Sequence, residues 1–171
     1  MADLKGKTLF VTGGNPLMTM ADSAHLKKAF QKLDLLVCLD IFLNETASEA
    51  DYVLPTTDPF QRPDLPFIFP LMLGLQIKPY LQATNSVVSP QGEQRDEASI
   101  YIELAKTSGF PLWGSKMAQF FFGSLMKLNK LDNGQRSIPQ KSILNLLLRL
   151  CGQPSFKKLL NNPQGIWREE H

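Results

Sequence analysis

Cysteine, histidine and tryptophan are scarce in this 171-residue sequence, which contains two of each. The spacing of Cys38 and Cys151, and of the two isolated histidines, matches neither a disulfide framework nor a metal-binding cluster. The net charge of +2 is too close to neutral to indicate general binding to nucleic acid or to membranes. We therefore expect no metal site, no disulfide and no nucleic-acid partner.

Long apolar runs are missing as well. No stretch reaches the roughly 18 apolar residues of a transmembrane helix, and the amino-terminal residues MADLKGK lack the apolar core of a signal peptide. We therefore expect no membrane span and favour a cytoplasmic location for the chain as written. The dinucleotide fingerprint G-x-G-x-x-G is also absent, because the first glycine pair reads GGNPLM. This argues against an ordinary nicotinamide-dependent enzyme.

The stretch from Thr8 to Pro55 alternates between strand and helix patterns. It predicts a strand, a glycine loop, a helix, a second strand, an acidic loop, one helical turn and a third strand. Leu9 to Val11 and Leu35 to Leu39 are the apolar runs of buried strands, and Asp22 or Ser23 is expected to cap the helix between them. The pattern is that of a βαβ unit with an open parallel sheet.

The carboxyl ends of the first two predicted strands carry residues suited to a ligand. Gly13 and Gly14 let the backbone turn sharply and approach a ligand closely, and Asn15 offers a side-chain amide. Asp40 ends the second strand. Ligands of open parallel sheets bind beyond the carboxyl ends of the strands, where Asp40 could contact a ribose or a base.

Structural interpretations of the same residues stay open at this point. The glycine pair could form only a tight turn, and Asp40 could simply cap the loop that follows it. Asn44 or Thr46 could cap the helical turn predicted at 47–50. We expect Asp51 to be structural. The side chains expected to pack in the interior are Cys38, Met18, Met20 and the phenylalanines at 120–122.

Beyond Pro55 the sequence changes character. Residues 55–90 are rich in proline, which predicts a long loop packed on the core or, alternatively, a partner-binding surface. Thr84 to Val88 is predicted as a strand, and the next helix begins at Asp96 or Glu97 and ends before Gly109.

The carboxyl-terminal third is predicted to be helical. Ser115 is expected to cap a helix that runs to Lys130, Pro139 to start a leucine-rich helix, and Ser155 to cap a short last helix. The leucine-rich helix is too short to span a membrane and is expected to contact a neighbouring domain. The predicted fold class is therefore α/β, with an open parallel sheet flanked by helices and a mostly helical carboxyl-terminal region.

Four motifs in this order resemble the molybdopterin-dependent oxidoreductases, the superfamily of dimethyl sulfoxide reductase and formate dehydrogenase. They are GGNP, LDIFLNETASEADYVLP, DPFQRPDLP and VVSPQGEQRDEASIYIELAKTSG. The resemblance covers about the first 110 residues well and the helical tail more weakly. It implies a Rossmann-like cofactor-binding domain at residues 1–110 and, at 111–171, a helical extension that packs on a neighbouring domain.

In that family the matching region binds one guanosine-diphosphate arm of a bis-molybdopterin guanine dinucleotide cofactor. The resemblance implies that the glycine loop lies against the pyrophosphate or ribose, that the acid ending the second strand bonds the ribose or guanine, and that the Glu-Thr pair lines the same pocket. Carried over to this sequence, the cofactor-binding residues are Gly13, Gly14, Asn15, Pro16, Asp40, Glu45 and Thr46.

Other parts of the family pattern are missing from this sequence. These are the cysteine cluster for a [4Fe–4S] centre, the region that supplies the protein ligand to molybdenum, and the carboxyl-terminal domain that closes over the cofactor. We therefore expect an internal fragment that is inactive alone, has no catalytic residue of its own and associates with the remaining domains of a parent oxidoreductase. An electron-transfer subunit is a further candidate partner. The alternative is a free-standing Rossmann-like nucleotide-binding or protein-interaction module without redox activity.

Overall fold

The structure is a computed structural model that describes residues 7–65, 80–111, 114–128 and 137–167. The chain divides into two compact units. Unit 1 consists of Met1–Thr57 and Gly92–Glu97, and unit 2 consists of Asp58–Gln91 and Ala98–His171. The domain boundary expected at residue 110 stays a prediction.

Unit 1 is built on a parallel sheet of three strands in the order β1, β2, β3. Its elements along the chain are β1 (Thr8–Thr12), α1 (Pro16–Thr19), α2 (Ser23–Phe30), β2 (Leu35–Asp40), α3 (Glu45–Ser48) and β3 (Tyr52–Pro55). In the central strand β2, Val37 pairs with Phe10 on one side and Tyr52 on the other. Four consecutive residues of β2 are buried, as expected for a central strand covered on both faces.

The connection from β1 to β2 contains two helices where the sequence predicts one. Pro16 begins the additional helix α1, and its fixed φ angle suits the first helical turn. Asp22, one of the two predicted caps, accepts a hydrogen bond at 3.1 Å from the N–H of His25 at the start of α2. A core cluster then joins these helices to the sheet through the side chains of Leu17, Phe30 and Leu36.

Unit 2 is mainly helical. Its elements are β4 (Tyr80–Leu81), α4 (Glu97–Thr107, whose first residue belongs to unit 1), α5 (Lys116–Leu128), α6 (Gln140–Leu150), α7 (Phe156–Leu160) and β5 (Ile166–Trp167). Strands β4 and β5 pair antiparallel. The predicted caps are confirmed, because Ser115 accepts a hydrogen bond from the N–H of Ala118 and Ser155 accepts one from the N–H of Lys158.

The strand predicted at Thr84 to Val88 is wrong. Thr84 forms only an isolated bridge with Asp64, and the N–H groups of Val87 and Val88 both donate to the carbonyl oxygen of Phe60. The two β-branched valines suggested a strand, but this segment finds no partner strand in the described part of unit 2. Within the proline-rich segment, residues 56–65 and 82–90 have isolated bridges and turns, as expected of a loop, and residues 66–79 lie outside the described ranges.

Several side chains expected to pack are exposed. Met18 and Met20 are exposed in unit 1, and Phe120 and Phe121 are exposed on α5, so the packing prediction is wrong for these four. It is right for Cys38, which is buried in β2. Met18, Phe120 and Phe121 lie in helices and Met20 follows α1, but no described segment covers these side chains. The helix predicted to reach Lys130 is described as far as Leu128.

The predicted fold class is confirmed. The structure has an open parallel sheet with flanking helices, followed by a helical carboxyl-terminal part. Among the described residues, every helix is too short or too polar to cross a membrane.

Candidate functional site

The glycine loop after β1 lies at the carboxyl edge of the sheet. The N–H of Gly13 donates to the carbonyl oxygen of Leu39 at 2.8 Å, which holds the loop beside the end of β2. Gly13 has a φ of +57°, which glycine adopts without steric cost. A Cβ atom at Gly13 would meet no heavy atom of its surroundings within 4 Å. The loop backbone is therefore open to the approach of a ligand.

Asn15 connects this glycine loop to the acidic loop after β2. Its Oδ1 accepts hydrogen bonds from the Oγ1–H of Thr46 at 2.8 Å and from the N–H of Thr46 at 3.3 Å. Its Nδ2 donates to Oε2 of Glu45 at 2.5 Å. One amide side chain thus fixes the distance between two loops that are about 30 residues apart in sequence.

Thr46, the residue that bonds to Asn15, is fully buried, with a relative exposure of 0%. Besides donating to Asn15, its Oγ1 accepts a hydrogen bond at 3.1 Å from the N–H of Leu17 in the first turn of α1. The first N–H groups of a helix have no partner within the helix, and Asn15 supplies no side-chain cap here. Thr46, a residue of α3, therefore caps α1.

The carboxylate of Asp40, which is half-buried, is held by the residues that follow it. The N–H of Phe42 donates to Oδ1 at 3.0 Å, and Nδ2 of Asn44 donates to Oδ2, also at 3.0 Å. Asn44 is in addition the cap of α3, because its Oδ1 accepts from the N–H of Ala47 at 2.9 Å. Of the two caps left open by the sequence, the structure selects Asn44, and the helical turn lies at Glu45–Ser48 rather than at 47–50.

Asp51 stabilises the opposite edge of the sheet. Its Oδ2 accepts a hydrogen bond from the N–H of Leu36 at 2.7 Å, and its own N–H donates to the carbonyl oxygen of Leu36 at 2.9 Å. This arrangement gives Asp51 the structural role expected from the sequence.

The surroundings shift the pKa of two side chains, Glu45 and Cys38, and they shift them in opposite directions. The hydrogen bond from Asn15, and then its own backbone N–H, lower the pKa of the exposed Glu45 carboxyl. Burial, and secondarily the charge of Asp40, raise the pKa of the Cys38 thiol. Cys38 is therefore held as a neutral thiol, a poor nucleophile and a poor metal ligand. No cluster of His, Cys, Asp and Glu side chains that could hold a metal occurs in the described ranges.

Replacing Asn15 by alanine is expected to raise the pKa of Glu45 toward its ordinary value of 4.5. In the unmodified chain this pKa is depressed, so the contribution of the Asn15–Glu45 bond to stability is complete above pH 4.5 and disappears as the pH falls through the folded-state pKa. An NMR titration of the Glu45 carboxyl carbon measures the shift. Asn85→Ala, an exposed site in unit 2, should leave it unchanged, and an unchanged curve in Asn15→Ala would contradict the assignment.

The structure brings most of the sequence-predicted site residues together. Residues 13–16 and the Glu45–Thr46 pair meet through the Asn15 side chain, and Asp40 lies at the end of β2 beside the same loops. Pro16 is the first residue of α1 and contributes no donor. Whether these residues bind a cofactor stays a prediction. Sequence reasoning missed the link from Asn44 to Asp40, which the Asp-x-x-x-Asn spacing before a helix could have indicated.

Comparisons with known proteins agree with the predicted family. A family model described as molybdopterin oxidoreductase matches residues 1–107. The probable oxidoreductase YyaE of Bacillus subtilis (strain 168) is 34% identical over 146 residues, which are 85% of this chain and 21% of that protein. The trimethylamine-N-oxide reductase of Haemophilus influenzae is 36% identical over 103 residues, which are 60% of this chain and 12% of that protein.

A solved structure is similar as well. The acetylene hydratase from Pelobacter acetylenicus matches with a TM-score of 0.53 and 31% sequence identity, over 68% of this chain and 14% of that one. The chain thus spans about a fifth or less of the length of these relatives and corresponds to a fragment of them. The family model covers more than half of the residues, which confirms the resemblance found in the motifs. The chain belongs to the molybdopterin oxidoreductase family.

Proposed function

We propose that unit 1 is a Rossmann-like domain that binds the guanosine-diphosphate arm of a bis-molybdopterin guanine dinucleotide cofactor, as part of a larger oxidoreductase. The observation that carries the proposal is the position of the open glycine loop and Asp40 at the carboxyl edge of one parallel sheet. That edge is where α/β sheets bind nucleotides. The family supports a molybdopterin cofactor, and the proposal adds its guanine dinucleotide form.

The glycine loop has the donors that a pyrophosphate needs. The backbone N–H groups of Gly14 and Asn15 form no hydrogen bond with the residues that the structure describes. The space next to Gly13 is open, so phosphate oxygens can approach the main chain closely. Successive free backbone N–H groups are a common phosphate-binding arrangement in proteins, and they require no basic side chain.

Asp40 supplies the complementary acceptor. An ionised carboxylate has about four acceptor positions, and among the described residues only Phe42 and Asn44 donate to it. One acceptor position on each oxygen of Asp40 therefore remains available to a ligand. Two parallel donors, such as the two ribose hydroxyls or the N1–H and N2–H groups of guanine, match this pair of positions. We therefore assign Asp40 the recognition of the nucleoside.

The remaining predicted site residues have supporting roles in this proposal. Thr46 is buried and its hydroxyl is occupied, so it orients Asn15 and the start of α1 rather than contacting the nucleotide. Glu45 holds the amide of Asn15, and Pro16 begins α1. When bound, the molybdenum–pterin group supplies the redox chemistry, and the residues of this chain contribute binding and orientation. The molybdenum ligand and a [4Fe–4S] cluster would belong to other parts of the parent enzyme.

The exposed apolar side chains of unit 2 support the proposal that the parent's other domains are partners of this chain. On α5, Met117 is 84% exposed and Phe120 is 78% exposed, and on α6 Leu146, Leu147 and Leu150 are exposed too. Apolar surface of this kind is typical of interfaces. It argues against the free-standing alternative. An electron-transfer subunit and a cytoplasmic location remain parts of the proposal for the whole enzyme.

The proposal is tested by calorimetric titration of the 171-residue chain with GDP, with pyrophosphate and with NAD. GDP and pyrophosphate are expected to bind, and NAD to bind more weakly. Asp40→Asn should weaken GDP binding by about tenfold or more, since hydrogen bonds to a charged group contribute about 1.5–3 kcal/mol, and should leave pyrophosphate binding unchanged.

Asp34→Asn is the matched control, because it removes an exposed carboxylate at the opposite end of β2. It should bind GDP like the unmodified chain. Failure of the unmodified chain to bind GDP, or equal binding by Asp40→Asn, would reject the proposed function.

A further inference from the structure

We propose that Asn44 is a positioning residue that sets the orientation of the Asp40 carboxylate for nucleoside recognition. This inference rests on the proposed function of Asp40. The side chain of Asn44 links the end of β2 to the start of α3. Its Nδ2 donates to Oδ2 of Asp40, and its Oδ1 accepts from the N–H of Ala47. The two contacts measure 3.0 Å and 2.9 Å.

The geometry allows Asn44 little freedom. Its main-chain carbonyl oxygen accepts hydrogen bonds from the N–H and the Oγ–H of Ser48, both at 2.9 Å, so backbone and side chain are both tied to α3. Because the amide group is planar, placing Oδ1 on the N–H of Ala47 determines where Nδ2 points. The helical turn α3 therefore directs a donor toward Asp40.

Asp40 receives a second donor on its other oxygen, from the N–H of Phe42. A free aspartate samples several χ1 rotamers and a broad terminal torsion, and one hydrogen bond leaves both torsions able to change. Donors on both oxygens of Asp40 fix both torsions, and with them the plane of the carboxylate. The two remaining acceptor positions then point in one direction before any nucleotide arrives, which avoids the loss of side-chain freedom on binding.

Serine and alanine variants separate the two roles of Asn44. Asn44→Ser keeps an oxygen that can cap α3 and removes the amide donor, because a serine hydroxyl ends about one bond length short of the Nδ2 position and does not reach Asp40. Asn44→Ala removes both groups. If Asn44 only capped the helix, the serine variant would behave like the unmodified chain. If Asn44 positions Asp40, the serine variant loses the orientation and keeps the stability.

A ligand-free measurement gives the first result. NMR three-bond couplings of Asp40 in the full 171-residue chain report its χ1 rotamer. A single rotamer in the unmodified chain that becomes an average in Asn44→Ser supports positioning. An unchanged single rotamer in Asn44→Ser overturns it.

Binding gives the second result. Asn44→Ser is expected to weaken GDP binding by about threefold to tenfold, because the side chain of Asp40 must then be ordered on binding. The pyrophosphate affinity and the midpoint of thermal unfolding should stay unchanged. Asn44→Ala should weaken GDP binding similarly and also unfold at a lower temperature, because the cap is lost. Unchanged GDP affinity in a serine variant whose Asp40 rotamer is averaged overturns the inference.

Different results would reject the proposed nucleoside recognition by Asp40 and the proposed positioning role of Asn44. A chain that binds pyrophosphate but not GDP rejects the nucleoside recognition on which this inference rests. The coupling measurement still decides whether Asn44 orients Asp40, because it needs no ligand.

Discussion

Replacing Thr46 with valine is expected to lower the free energy of unfolding of unit 1 by about 1–3 kcal/mol. Valine has nearly the shape of threonine, so packing at this fully buried site is preserved and the hydroxyl alone is lost. The N–H of Leu17 then has no acceptor for the bond that Thr46 provides, and Oδ1 of Asn15 keeps only the longer bond, at 3.3 Å, from the N–H of Thr46. A buried donor without a partner is costly, which makes this isosteric change large.

Native-state hydrogen exchange is the appropriate measurement for Thr46→Val, because it resolves α1 and α3 from unit 2. We expect the amide of Leu17 to lose most of its protection and GDP to bind more weakly, since the glycine loop loses its anchor. Thr46→Ser is the matched control. It keeps the hydroxyl and loses one methyl group, a change of about 0.8 kcal/mol. Equal effects of the serine and valine changes would contradict the role given to the hydroxyl.

Replacing Leu39 with alanine is expected to cost about 2–5 kcal/mol of the stability of unit 1, the largest effect predicted here. Leu39 is 0% exposed, in the central strand, and its carbonyl oxygen also accepts the bond from Gly13. Strand side chains point away from the plane of the sheet, so removing three carbon atoms leaves a cavity on the face of β2 that the surrounding structure fills only in part. The effect should appear as faster exchange of the amides of β2.

Leu9→Ala is the matched control for this change. It is the same substitution in the same sheet, but Leu9 lies in β1 and is 36% exposed. We expect it to cost well under half as much, since its apolar surface is already partly in water. A loss of protection as large as that of Leu39→Ala would contradict the proposed dependence of the cost on the burial of the side chain.

The hydrogen bonds between Asn15 and Thr46 are an example of contacts that the sequence could not predict. The sequence places Asn15 in the loop after β1 and Thr46 beside a helical turn, and in the structure Asn15 precedes α1 and Thr46 lies in α3. It does not reveal that the two side chains bond each other across 31 positions, or that Thr46 caps α1. Such a contact exists only because β1 and β2 are parallel neighbours whose carboxyl ends share one edge.

The burial of apolar side chains could not be predicted from the sequence either. Phe120 and Leu39 are both apolar residues in a regular element, yet one is 78% exposed and the other 0% exposed. Helical spacing determines that Phe120 lies on one face of α5 with Met117, but it does not determine what covers that face. In the relatives, the matched region is about a fifth or less of the length, so those proteins contain many further residues that could cover such a face.

The sequence by itself determined the three strands and helix α2 of unit 1, the caps at Ser115 and Ser155, and the family, because these depend on local patterns and on motifs in order. Tertiary structure alone decided that Thr84 to Val88 forms no strand, since a strand needs a partner. It also decided how Asn15, Asn44 and Thr46 fix the loops around Asp40, because hydrogen bonds between side chains depend on which segments the sheet brings together.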